Sequence, residues 1–245
     1  MNVKAIVLAA GKGTRLQTDE YDAPKVMRAV CGKPLLGYVL DALGFINKED
    51  IIIVVGYKKE QIIDKFGDYP TAIQAEQLGT GHAVMAAAEH IEGFDGSVLV
   101  CYGDMPALTR GRYEELAKTH FEHQNDCTIL TGESDGALAF GRIVRDRNGD
   151  FVEVVEERDC TPEQLSITEL NSGVYMFRAS ELLKALKGLK RDNSQGEYYL
   201  TDAPAIIREN GLKVGLYHCN LGDEIIGVNT LEQLAQVEEI LTSKQ

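Results

Sequence analysis

Three stretches of the chain carry residue types and spacings suited to binding phosphate. The first is Leu8-Ala9-Ala10-Gly11-Lys12-Gly13-Thr14-Arg15. Its two glycines let backbone N–H groups approach an anion closely, and Lys12 and Arg15 put two cations in the same turn, with Lys25 a short step further on. Two familiar phosphate loops fail the test. There is no Gly-Lys-Ser/Thr at P-loop spacing, and a dinucleotide fingerprint would need glycine where Leu16 stands. The apolar run at 51–55 also ends in Gly56-Tyr57-Lys58 and not in an acid for a ribose hydroxyl, which weakens a NAD reading. The number of cations suits a triphosphate. A solvated glycine turn with surface charges is the competing reading of this segment taken alone.

The second stretch is Gln74-Ala75-Glu76-Gln77-Leu78-Gly79-Thr80-Gly81-His82. The Gln74 amide can pair with a pyrimidine edge, and Gly79-Thr80-Gly81 lets backbone pack on a flat base before a helix begins. Thr80 also reads as an ordinary helix N-cap. The third stretch is Tyr102-Gly103-Asp104, where Asp104 ends an apolar run and offers the hard oxygen that Mg²⁺ prefers. Its plain alternative is a cap for the next helix.

These stretches can meet only if the elements between them bring them to one rim. Apolar runs at 3–9, 51–56, 71–75, 97–102 and 127–131 read as strands, and 34–46, 59–66, 81–91 and 112–123 as helices. That alternation predicts an α/β fold with a doubly wound, mostly parallel, Rossmann-like sheet, whose loops after the strands open on a common edge. From about residue 138 the rhythm changes. Segments 141–146 and 151–156 flank an Asn148-Gly149 hairpin signal, predicting a smaller antiparallel lobe. A strand at 167–177, helices at 179–189 and 201–210 and a strand at 213–217 follow. Residues 230–241 close the chain as an amphipathic helix with Leu231, Leu234, Val237, Ile240 and Leu241 on one face. The whole reads as a single domain, 1–245, with a nucleotide-binding half at 1–137, a sugar-binding lobe at 138–228 and a closing helix at 229–245.

Composition narrows the class. A chain of 245 residues with 44% hydrophobic and 26% charged residues has the material for a substantial core. No apolar run is long enough to cross a bilayer and none resembles a secretory signal, so a soluble cytoplasmic protein is expected. The five cysteines are scattered, which fits reduced thiols, and the five histidines need no catalytic role, His120 and His123 having no third ligand nearby. A net charge of −13 argues against nucleic acid as a partner.

Taken together, these motifs resemble bacterial N-acetylglucosamine-1-phosphate uridylyltransferases. The likeness continues through Pro24-Lys25-Val26, Phe140-Gly141-Arg142-Ile143, Val155-Glu156, Asn171-Ser172-Gly173, Gln195-Gly196-Glu197-Tyr198-Tyr199-Leu200-Thr201-Asp202 and Gly227-Val228-Asn229. The resemblance implies a nucleotide-diphospho-sugar transferase fold and condensation of a sugar 1-phosphate with UTP. It implies that Ala10, Gly11, Gln74 and Gly79 hold uracil, that Arg15 and Lys25 face phosphates, and that Asp104 and Asn229 share Mg²⁺. Gly141, Glu156, Asn171, Tyr199 and Thr201 would line the sugar site. Read without it, Glu156 is a solvated strand end and Asn171 a bulge. The sequence departs from the family in a longer stretch at 17–23, in Phe140 where tyrosine is common, and in having no hexapeptide repeat of a left-handed β-helix, so acetyl transfer is not expected. Another sugar or base, or a non-catalytic nucleotide-sugar sensor, are the alternatives.

Overall fold

A computed structural model describes residues 2–16, 22–133 and 140–243. Most of the 17–23 stretch, the onset of the second lobe at 138 and the last two residues lie outside the described residues. In chain order come β1 (Val3–Leu8), the short pair β2 (Ala29–Val30) and β3 (Lys33–Pro34), and α1 (Leu35–Ala42). Then follow β4 (Ile51–Val55), α2 (Lys59–Phe66), β5 (Thr71–Ile73), α3 (Thr80–Ala86), β6 (Ser97–Tyr102), α4 (Arg110–Glu122) and β7 (Cys127–Glu133). The second half holds β8 (Arg142–Arg145), β9 (Phe151–Val155), α5 (Pro162–Leu165), β10 (Glu169–Arg178), α6 (Ala179–Gly188), α7 (Asp202–Glu209), β11 (Val214–His218) and α8 (Leu231–Ser243).

The main sheet runs β11-β7-β10-β6-β1-β4-β5, and β10 alone on this path runs against its neighbours. This is the mixed, mostly parallel α/β sheet that the strand-helix alternation predicts. Residues of β1, β4 and β6 alternate between its two faces: Ala5, Val7, Ile51, Ile53, Leu99 and Cys101 enter one core, and Ile6, Leu8, Ile52, Val54, Val98 and Val100 the other. Both faces are covered by helices, α1, α2 and α4 on the first and α3, α6 and α7 on the second, so these strands are apolar throughout instead of alternating. The β8–β9 hairpin turns at Asn148-Gly149, where Gly149 has φ +87°, and attaches to β10 through the Leu170–Arg142 pairing. β10 and β11 come from the second half of the chain yet lie within the main sheet.

Several details depart from the sequence expectation. The 34–46 helix is shorter, because the chain leaves α1 at Leu43 and turns through Gly44. The 81–91 helix is α3 followed by a separate turn at Ala88–His90. The β2–β3 pair and α5 were not anticipated. In α8, Leu231 is 49% exposed, while Val237 is buried and Leu234, Ile240 and Leu241 pack against a small third core of Leu16, Val30, Leu35, Ile226 and Val228. That core ties the glycine turn, the β2–β3 pair and α8 together. No helix among the described residues is long and apolar enough to cross a membrane.

Candidate active site

Two cavities lie side by side at the rim reached by the loops after β1, β5 and β6. The first is lined by Ala10, Gly11, Lys25, Gln74, Gln77, Gly79, Thr80, Tyr102, Asp104 and Glu197, among others. The second is lined by Arg15, Lys25, Tyr102, Asp104, Phe140, Gly141, Glu156, Asn171, Asn229 and Gln233, among others. Lys25, Tyr102 and Asp104 line both and form the wall between them.

The wall is built around one ammonium. Lys25 Nζ donates to Asn229 Oδ1 at 2.8 Å and is ion-paired with Asp104. Asp104 is only 7% exposed. It does not cap α4, which starts at Arg110 with Thr109 as its N-cap. Its carbonyl instead takes the Val228 N–H at 3.0 Å, which draws the Gly227-Val228-Asn229 segment alongside. Asn229 is held from behind by a capping box at the start of α8: Gln233 N donates to Thr230 Oγ1 at 3.2 Å, and Gln233 Oε1 accepts from Asn229 N at 2.8 Å and Thr230 N at 3.1 Å. Asp104 and Asn229 therefore direct two hard oxygen donors at one cationic point, a donor set that suits a small divalent cation completed by water and phosphate. Among the described residues no group of three or more His, Cys, Asp or Glu could hold a metal.

Gly13 has φ +63°, and a Cβ there would collide with the Lys25 side chain. Gly13 lines neither cavity, and its lack of a side chain lets Lys25 pass. Lys12 is also outside both cavities, its ammonium 5.3 Å from the centre of the Tyr57 ring. Arg15 is exposed and borders the second cavity.

Gln74 is 5% exposed, and Gln77 Nε2 donates to the Ala10 carbonyl at 2.8 Å, fixing the β1 loop against the β5 loop. Gly79, at φ +108°, is the N-cap of α3; a Cβ there would lie 2.5 Å from the Tyr198 carbonyl oxygen. Thr80 is therefore not the cap. Its hydroxyl accepts from Leu200 N at 3.0 Å. The Tyr102 phenol is pushed up, chiefly by burial. The β5 loop is thus stitched to the 197–200 segment, which also receives Tyr198 N on Leu78 O and Gly81 N on Tyr198 O, each at 2.8 Å.

In the second cavity the side chains bind each other. Thr201 Oγ1 donates to Glu156 Oε1 at 3.1 Å, and burial, with Asp159, Asp202 and Glu197 nearby, raises the Glu156 carboxyl. Asn171 Nδ2 donates to the Tyr175 hydroxyl at 2.7 Å and its Oδ1 accepts from Gly173 N at 3.1 Å, across a register shift in β10 between Asn171 and Tyr175. The bulge is real, and Asn171 lines the cavity from it. Thr201 and Tyr199 line neither cavity: Thr201 supports Glu156, and the Tyr199 hydroxyl accepts from Gln195 Nε2 at 2.8 Å. Tyr102, Gln77, Glu197 and Gln233 were not singled out as site residues. Tyr102, Gln77 and Glu197 stand inside motifs read above, and that adjacency was the available signal.

The residue pattern of the MobA-like NTP transferase domain matches residues 5–205. The chain is 44% identical over 242 residues to the protein named Bifunctional protein GlmU from Alkaliphilus metalliredigens, and 45% identical over 243 residues to its namesake from Clostridium novyi. Each match covers 98% of this chain and 52% of the relative, so the chain spans about half the length of these curated relatives. A solved structure from Bacillus anthracis, provisionally assigned as a glucose-1-phosphate thymidylyltransferase and holding a sucrose, superposes with a TM-score of 0.73 over 97% of this chain and 94% of that one. At 17% identity this likeness concerns the fold.

Proposed function

Because the chain belongs to the family of MobA-like NTP transferase domains, we propose that it condenses UTP with a sugar 1-phosphate, N-acetylglucosamine 1-phosphate above all, to give a UDP-sugar and pyrophosphate. The observation that carries this reading is the shared wall: two cavities abut at Lys25 and Asp104, so two ligands entering from opposite sides meet at a charged point. The first cavity takes the nucleotide and the second the sugar. A phosphate oxygen of the sugar 1-phosphate attacks the α-phosphorus in line; the new O–P bond forms as the bond to the β-phosphate oxygen breaks, and pyrophosphate leaves with its electrons. The attacking oxygen is already ionised, so no general base is required.

Both reactants are anions, and the chain's main contribution is to bring them together and offset their charge. Lys25 and Arg15 face the phosphates. Asp104 and Asn229 are the groups that would hold Mg²⁺, which when bound supplies further neutralisation of phosphate charge. Glu156 and Asn171 present oxygen and amide groups to a neutral sugar, and a site in the cytoplasm fits these substrates. Pyrophosphate release measured over a panel of sugar 1-phosphates and nucleoside triphosphates, with and without Mg²⁺, tests the proposal. Turnover is expected to be greatest with UTP, N-acetylglucosamine 1-phosphate and Mg²⁺. Protein that binds UTP yet releases no pyrophosphate with any sugar phosphate would favour the sensor instead.

A further inference from the structure

The buried amide of Gln74 is pinned at its nitrogen. Nε2 donates to the Gly79 carbonyl at 3.1 Å and lies 3.3 Å from His82 Nδ1. The Gly79 carbonyl can only accept, and it already takes Ala83 N–H at 3.1 Å as the opening bond of α3, so the nitrogen end of the amide must face it. An amide nitrogen has two hydrogens and no lone pair to offer. His82 Nδ1 therefore accepts the second hydrogen, and the ring carries its own N–H on Nε2. With both hydrogens committed, Gln74 has only its oxygen left for a ligand in the first cavity, which it lines.

We infer that His82 is a positioning residue for base selection: by accepting the second amide hydrogen it holds Gln74 with an acceptor toward the cavity, so that the site takes a base whose ring nitrogen bears a hydrogen, as in uracil or thymine, and rejects cytosine, whose ring nitrogen is bare. This rests on the reading of the first cavity as the nucleotide side. Turning the amide over would set its oxygen against the Gly79 carbonyl and the His82 lone pair together. Without His82 only one of those two repulsions remains, and the amide gains freedom to present its NH₂ to cytosine. The imidazole is itself supported. It stacks on Tyr198 with ring centroids 6.3 Å apart and planes 25° from parallel, and the Arg191 guanidinium lies 5.7 Å from the Tyr198 ring centre. A site built to hydrogen-bond one edge discriminates strongly against an analogue that cannot supply it.

The test compares UTP and CTP by calorimetric binding and by kcat/KM with one sugar phosphate. The wild-type chain should prefer UTP. His82→Leu, which keeps bulk but offers no acceptor, should lower the UTP to CTP ratio at least about tenfold, mainly through KM. His82→Asn, whose Oδ1 stands close to the former Nδ1, should keep the ratio. An unchanged ratio in a folded His82→Leu, or equal losses for both nucleotides, overturns the inference while leaving the nucleotide cavity intact. A wild-type chain that binds neither nucleotide overturns the cavity reading and this inference with it. Should His82→Leu not fold, Tyr198→Leu, which removes the stacking support, is expected to shift the ratio in the same direction; no shift there counts against the inference.

Discussion

The first cavity owes its shape to backbone: loops leaving parallel strands, a Gly79 that no other residue replaces without strain, and side-chain amides of Gln74 and Gln77 tied to carbonyls. The second is made of side chains that restrain one another, Thr201 on Glu156 and Asn171 on Tyr175, carried by a hairpin and a bulged strand. Charge is also uneven within the second cavity. Asp159, Asp202 and Glu197 stand near Glu156, with Glu153 near Asp202, whereas Arg15 borders this cavity and Lys25 lies on the wall it shares with the first. A neutral, hydroxyl-rich ligand is at home among acceptors, and a phosphate is not. Under the proposed function, a sugar phosphate is expected to set its anionic end toward the Lys25 side of the wall and away from Glu156.

The sharpest way to break this picture is to strike the wall, which belongs to both sides. Asp104→Ala or Lys25→Ala should each lower kcat at least about a hundredfold, as expected for loss of one preorganised charge stabiliser. Near-normal pyrophosphate release from either variant would contradict charge neutralisation as the basis of catalysis. Next come the two cavities taken singly. Gly79→Ala forces φ +108° on a residue with a Cβ and drives that Cβ toward the Tyr198 carbonyl, so the loop after β5 must shift. KM for UTP is expected to rise about tenfold or more, with KM for the sugar phosphate little changed. Glu156→Gln should do the reverse by about tenfold, because it alters a side-chain acceptor and leaves the β1 and β5 loops alone. If both variants moved the same KM, the division of labour between the cavities would fall.

The difference in construction also decides what the sequence discloses. A glycine turn after an apolar strand is local, so Gly11, Gly13, Gln74, Gly79 and Asp104 could be picked from residue type and spacing, and the parallel sheet guaranteed that their loops share a rim. Even there two residues of the turn stand apart from both cavities: Lys12 rests against Tyr57, and Gly13 makes room for Lys25. Gly141, Glu156, Asn171 and Asn229 come from a hairpin, a bulge and a helix approach far apart in the chain, and no local pattern announces that they converge. They were reached only through family resemblance. The place of β10 between β7 and β6 was hidden for the same reason, since strand order is set by long-range pairing and not by periodicity.

The smallest expected effect sharpens the electrostatic half of the comparison. Asp202 opens α7 beside Thr201, and burial, followed by repulsion from Asp159 and Glu153, pushes its carboxyl up to about 6. A carboxyl that titrates higher in the folded chain than in the unfolded one binds more protons when folded, so stability falls as pH rises from about 4 to about 6 and stays lowered above that. The full penalty is bounded at ~3 kcal/mol, and partial solvation leaves ~1 kcal/mol as the reasonable expectation. Asp202→Asn should therefore raise Tm by roughly 2–4 °C at pH 8, less the few tenths of a kcal/mol that a negative charge contributes at a helix N terminus, and the gain should vanish near pH 4. His120 supplies the opposite slope from the core. Held between Ser97 and Thr128 with its pKa lowered to about 4, chiefly by burial, it costs stability as pH falls below about 6.5. A melting curve series from pH 4 to 8 on Asp202→Asn separates the two. A gain that persisted at pH 4 would show that the substitution acts through packing and that the acidic cluster carries no electrostatic strain.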